Sequence, residues 1–355
     1  MATGGVATLL AAQPHSFTGL HVIGKVVFIF DVVAFLCFTS AISARFLMYP
    51  GSFHNAISHP TESLFIPTFF LSIFDIFNGS QAFGVPSTGY WLVYALRVCF
   101  WIYLACTFLL ATAQYLFLFT GPPKRLTVQS MTPSWLLPIF PAMLSGTFAS
   151  GIARTQPADA ALAIIVAGVT MQGLGWMVSF LMYSAYIQRL MQYGLPAPNM
   201  RPGMFIAVGP PSFTSLALIG MSRAIPSQYA YFGAHPDAAE ALRHVALWTA
   251  VFLWTLGFWF FSISLMATLL DIKKMSFHLV WYALVFPNVG FTIAIIDIGE
   301  GFQSPAVQWV GSVLTVLLVA TWLFVMIMHL RAVLTKQIMM PGVDEDKDQY
   351  GEKQS

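Results

Sequence analysis

Two short stretches of this chain put hydroxyl groups where an apolar helix ought to run without interruption. In VGPPSFT, residues 208 to 214, Ser212 and Thr214 directly follow Gly209, Pro210 and Pro211. Pro141 is followed in the same way by Ser145, Gly146 and Thr147. A proline inside a helix removes an N–H and crowds the turn before it. The chain is therefore expected to start a helix anew near Ser212. A helix start carries unpaired N–H groups and the positive end of the macrodipole. With the hydroxyls of Ser212, Thr214, Ser145 and Thr147 as further donors, both places are suited to holding an anion.

Few ionisable residues lie in or beside the apolar runs. Arg223 closes the run that starts at Pro202. It is either a forked donor for a carboxylate or an interfacial side chain reaching for headgroups. His59 and Glu62 open another run and could relay protons or shape entry. A glutamate in a first helical turn also favours the dipole without further function. Asp31 sits mid-run, as a functional acid or a neutral, hydrogen-bonded one. Asp75 and Arg97 each lie eleven residues from Pro86, so a turn there sets them at one depth, where they are expected to pair. The histidines lack metal-ligand spacing, and no Ser/His/Asp group clusters. No metal site, no cofactor and no enzyme activity are expected.

These residues sit in a chain of 355 residues that is 57% hydrophobic and only 8% charged. Soluble domains carry about 25% charged residues, so this is read as an all-α, polytopic membrane protein. The net charge of +2 gives no basic surface for nucleic acid. Cys37, Cys99 and Cys106 all lie in apolar runs and read as small core residues without a disulfide frame.

A span needs about 20 apolar residues. Runs of that kind occur at 20–44, 62–83, 88–119, 126–153, 160–188, 202–222, 245–270, 276–296 and 301–328. The opening MATGGVATLLAAQ is apolar but reaches only about 20 Å as a helix. It is expected to be the second half of a first span, which makes ten spans. Arg45, Lys124, Arg125, Arg189, Arg201, Lys273, Lys274, Arg331, Lys336, Lys347 and Lys353 fall on one side, and Arg154, Arg223 and Arg243 on the other. The positive-inside rule then places the C-terminus in the cytosol. Residues 1–330 read as one transmembrane domain and 331–355 as a polar, disordered cytosolic tail.

Prolines alternate along these runs. Pro67, then Pro133, Pro138 and Pro141, then Pro202, Pro210 and Pro211, then Pro287 fall in every second run, and the middles of the runs between hold none. Such periodicity predicts repeated hairpins of one kinked and one straight helix. Broken backbone at membrane depth is tolerated where it is buried or lines a wet cavity. The kinked helices, with Pro67, Pro141, Pro210, Pro211 and Pro287 as pore kinks, are thus expected inside a ring of straight ones facing lipid.

The stretches HPTESLFIPTFFLS (59–72) and RPGMFIAVGPPSFTSLALIGM (201–221) closely resemble the fungal C4-dicarboxylate/malic acid transporters. These belong to the wider tellurite-resistance/dicarboxylate transporter family, with the plant slow anion channels and the fungal sulfite efflux pumps. The resemblance covers nearly the whole chain. It implies ten helices as five hairpins around a central pore, a homotrimer in a lipid bilayer, here the plasma membrane, and small organic or inorganic anions as cargo. Malate transport is the implied function, with an anion channel or sulfite efflux pump of the same fold as the alternative. WYALVFPNVGFT matches the ninth helix of the family and makes Phe286 the residue that plugs the pore.

Overall fold

The computed structural model describes residues 1–49, 51–58, 62–120 and 127–338. His59 and most of the C-terminal tail lie outside these residues. No strand occurs among the described residues. In chain order the α-helices are α1 (Ala2–Ala11), α2 (Leu20–Met48), α3 (Ser52–Ser58), α4 (Thr68–Gly79), α5 (Tyr90–Thr120), α6 (Phe140–Ile152), α7 (Ala158–Tyr193), α8 (Gly209–Arg223), α9 (Ala230–Ala234), α10 (Pro236–Leu270), α11 (Phe286–Gly301) and α12 (Pro305–Leu334). Eight helical spans among the described residues are long and apolar enough to cross a membrane. The run expected at 126–153 is not one of them, because its α-helix has only 13 residues.

The prolines decide where the helices start. Short 3-10 stretches at Glu62–Phe65, Pro133–Leu136, Pro198–Val208 and Leu279–Leu284 precede α4, α6, α8 and α11. Pro67 caps α4, and Pro141, Pro210, Pro211 and Pro287 occupy the first turns of the other three. First-turn positions have no intrahelical use for an N–H, so proline is accommodated there. Pro236 and Pro305 open α10 and α12 in the same manner.

Burial differs widely among the spans, and the Pro67 span, at 39%, is close to the 33% of two spans without an internal proline. In Pro198–Arg223 and Leu279–Gly301, 83% and 78% of the apolar window is buried, against 6% in Leu20–Met48 and 22% in Pro305–Leu334. α6 is buried along almost its whole length. α8 packs on α6, α7, α10 and α11, while α1 packs on α2, α4, α11 and α12. The long helices turn Leu36, Leu109, Phe252, Met266 and Val316 outward, as helices bathed in lipid do. Cys37 and Cys106 are exposed on those outward faces and Cys99 is half-buried, so they are not core residues as expected.

With no water to drive helices together in lipid, close backbone approach supplies the contact. A Cβ on Gly168 of α7 would lie 2.5 Å from Ala149 Cβ and 3.4 Å from Gly146 Cα of α6. Only glycine at 168 lets these two helices meet so closely.

Candidate functional site

Three phenylalanines meet where three inner helices begin. Phe140 and Phe286 are the first residues of α6 and α11, and Phe213 lies in the first turns of α8. Phe213 and Phe286 stack with ring centroids 5.3 Å apart. Phe140 stands edge-on to Phe213 at 5.8 Å and tilted to Phe286 at 6.2 Å. Each ring is 2–3% exposed. Two glycines make the room: a Cβ on Gly209 would be 2.7 Å from Phe140 Cζ, and one on Gly290 would be 2.7 Å from Phe213 Cδ2. Each aromatic pair is worth about 0.5–1.5 kcal/mol beyond its area. Sequence reasoning reached only Phe286. The signal for a second ring was present in the repeated Phe-Pro pair, Phe140-Pro141 and Phe286-Pro287, at the head of two proline-bearing helices.

The expected anion-holding helix start at Ser212 is not open. α8 begins earlier, at Gly209, as an unbroken continuation of the 3-10 stretch. The Gly209 N–H donates to Ile206 O, and Pro210 and Pro211 have none to give. Ser212 Oγ donates to Val208 O at 2.7 Å, and Thr214 Oγ1 to Pro210 O at 2.7 Å while accepting from Gln172 Nε2 at 2.9 Å. Those hydroxyl hydrogens are spent on carbonyls one turn back. Ser145 Oγ and Thr147 Oγ1 on α6 differ: both are buried and have no partner.

Arg223 is tied inside the protein. Its Nη1 lies 3.1 Å from Asp297 Oδ1 and 3.2 Å from Glu300 Oε2, and its Nη2 donates to Asp297 O at 2.9 Å. The guanidinium therefore joins the C-terminal end of α8 to that of α11 rather than standing as a free anion donor. At the start of the Pro198–Val208 stretch, Arg201 Nη1 meets Asp271 Oδ2 at 2.7 Å and Ala267 O at 2.8 Å at the C-terminal end of α10. Lys274 Nζ also reaches Asp271, at 2.7 Å from Oδ1. The Lys274 hydrogen bond, with Arg201 adding to it, holds the Asp271 carboxyl below the usual carboxylate range.

Asp75 and Arg97 make no ion pair, contrary to expectation. Asp75 is 1% exposed on the inward face of α4 beside Leu71 and Phe74, whereas the guanidinium of Arg97 lies 4.8 Å from the Tyr94 ring centroid on α5. Equal depth sets only one coordinate; Arg97 is turned one residue past the buried line of Val93, Leu96 and Phe100. Glu62 is exposed at the first position of its 3-10 stretch. No group of His, Cys, Asp and Glu able to hold a metal occurs among the described residues.

The sequence pattern described as voltage-dependent anion channel matches residues 1–330. The chain is 35% identical over 349 residues to a malic acid transport protein of Schizosaccharomyces pombe, covering 98% of this chain and 79% of that one. It is 25% identical over 345 residues to a sulfite efflux pump of Trichophyton rubrum, covering 95% and 90%. A sulfite efflux pump of Arthroderma benhamiae matches to the same extent. With eight apolar spans among the described residues and a match over residues 1–330, this is a multi-pass membrane protein of anion transport, not an enzyme, and it belongs to the voltage-dependent anion channel family.

Proposed function

We propose that the chain carries C4-dicarboxylates such as malate across the plasma membrane, along a path between the proline-started helices that is closed at Phe286. The observation that carries this reading is the contact of Phe286 with Phe140 and Phe213 at three α-helix starts. A hydrophobic constriction of that sort excludes water and with it a hydrated anion. Ser145 and Thr147, buried without partners, supply hydroxyl donors for the passing carboxylate. The identity to a malic acid transport protein supports malate over other anions.

The same reading takes the ten helices as five hairpins around the path, kinked at Pro67, Pro141, Pro210, Pro211 and Pro287, with three copies in the assembly and the C-terminus in the cytosol. A charge moved against 100 mV costs about 2.3 kcal/mol. Export of a dianion from a negative-inside cell is therefore downhill, and import needs the protonated acid. The test is tracer efflux from vesicles holding the full chain, loaded in turn with malate, sulfite and chloride. Malate efflux above that of empty vesicles, increased by Phe286→Ala, is the expected result. Sulfite efflux without malate efflux would overturn it.

A further inference from the structure

We propose that Asp75 binds a proton beside Asp31, forming a buried proton-binding site whose charge controls anion flux through the helix that carries Phe286. The link to flux rests on the function proposed above; the proton site stands on its own geometry.

Asp31 on α2 is 5% exposed and Asp75 on α4 is 1% exposed. Both border Gly4 of α1. A Cβ built there would lie 2.6 Å from Asp31 Oδ2 and 2.7 Å from Asp75 Cβ, so only a hydrogen fits between them. Asp31 Oδ2 and Asp75 Oδ2 are both buried and without a hydrogen-bond partner. Tyr103 Oη on α5 is a third buried polar atom with none. Among the described residues, the cation in contact is the Met1 ammonium, 3.7 Å from Asp31 Oδ1 and 3.4 Å from Ser72 Oγ. α6 and the segment Ser80–Gly84, the other elements against α4, contribute no titratable side chain.

Two buried carboxyls on either side of Gly4 disfavour the state in which both are ionised. A proton on Asp75 removes one of the two charges.

The site also touches the gate helix. Gly5, next to Gly4, faces α11: a Cβ there would lie 3.0 Å from Val289 Cγ2. Val289 is three residues past Phe286, so α1 has one residue against the two acids and the next against the helix of the plug. Loss of the proton leaves like charges facing across Gly4. Their repulsion is relieved by displacing α1, which takes support from Val289 and loosens Phe286. Flux is thus expected to rise with pH.

The test has two arms on the full-length chain. In detergent, infrared difference spectra across a pH step read the carbonyl stretch of a protonated carboxyl. Wild type should show that band at neutral pH, Asp75→Asn should lose it, and Asp31→Asn should move its midpoint by about one pH unit, a tenfold change in proton affinity. Absence of the band from wild type, or a band unchanged in both variants, would overturn the proton site. In vesicles, tracer malate efflux should rise with pH by up to about tenfold per unit, the limit for one proton, and be flat in Asp75→Asn. An unchanged pH profile in that variant overturns the link to the gate, whatever the band does. Wild-type vesicles that move no anion at any pH would overturn the transport reading and this link together, while the band still decides the proton site. The wild-type spectrum needs no variant to fold.

Discussion

The rings of Phe213 and Phe286 lie stacked, 29° from parallel, with their centroids 5.3 Å apart. One belongs to α8 and the other to α11, so whatever moves one inner helix against the other must break this contact. Phe286→Ala should raise anion flux and weaken discrimination among anions. Because the ring is packed on two others, the change should also cost about 3 kcal/mol of stability, the lower end for a packed Phe→Ala change. Tracer efflux at matched surface expression and thermal unfolding in detergent check the two parts. Equal efflux from variant and wild type would move the closure elsewhere.

A double-mutant cycle tests whether the two rings act as one barrier. If they do, Phe213→Ala and Phe286→Ala should not add, and the coupling in stability should be about 0.5–1.5 kcal/mol. Additive effects on both unfolding and efflux would mean that Phe213 is packing alone.

Gly290→Ala should press a methyl group into the Phe213 ring, 2.7 Å away. Overpacking of this kind costs about 1–3 kcal/mol. The displaced Phe213 ring lies between α8 and α11, so the open probability in single-channel or vesicle recordings should change along with the melting temperature. A melting temperature within error of wild type would show that the ring has room to retreat.

Arg223→Gln separates a structural tie from an anion donor. Hydrogen bonds to charged groups contribute about 1.5–3 kcal/mol, so the variant should lose roughly 2 kcal/mol. Adding Asp297→Asn should recover part of that, because the partner carboxylate is no longer left without its cation. Recovery is read by unfolding in detergent. Loss of malate affinity with unchanged unfolding would return Arg223 to the anion path.

Asp271 sets an acid limit on the contact between Pro198–Val208 and α10. Its folded-state pKa lies below the unfolded value of about 3.9. Its contribution is therefore complete above that unfolded value and is lost as pH falls through the depressed folded one. The melting-temperature gap between wild type and Asp271→Asn should be constant from neutral pH down to about pH 5, then close on further acidification. A gap that widens in acid would reverse the sign of this assignment.

Much of the fold could be read from the position of prolines. Pro67, Pro141, Pro210, Pro211 and Pro287 mark the junctions from 3-10 stretch to α-helix, because a missing N–H is harmless only in a first turn. Less could be read of the site. Ser212 and Thr214 looked like free donors because sequence shows a hydroxyl but not the carbonyl one turn back that takes its hydrogen. The Asp75–Arg97 pairing failed because counting from a turn gives depth and not rotation about the axis, which changes by about 100° per residue. Asp31 and Asp75 could not be matched in sequence, since what brings them together is the absence of a side chain at Gly4.

The eleven-residue 3-10 stretch Pro198–Val208 has a further geometric result. A 3-10 turn advances about 2.0 Å per residue against 1.5 Å for an α-helix, so the stretch covers about 22 Å where an α-helix would cover about 16 Å. It thus covers more length on few residues than an α-helix would. Side chains three apart also eclipse one another in this geometry, so Pro202, Phe205 and Val208 form a straight file parallel to the axis, with no spiral. A neighbour packing against this file meets side chains in a straight row, not in the inclined ridges of an α-helix.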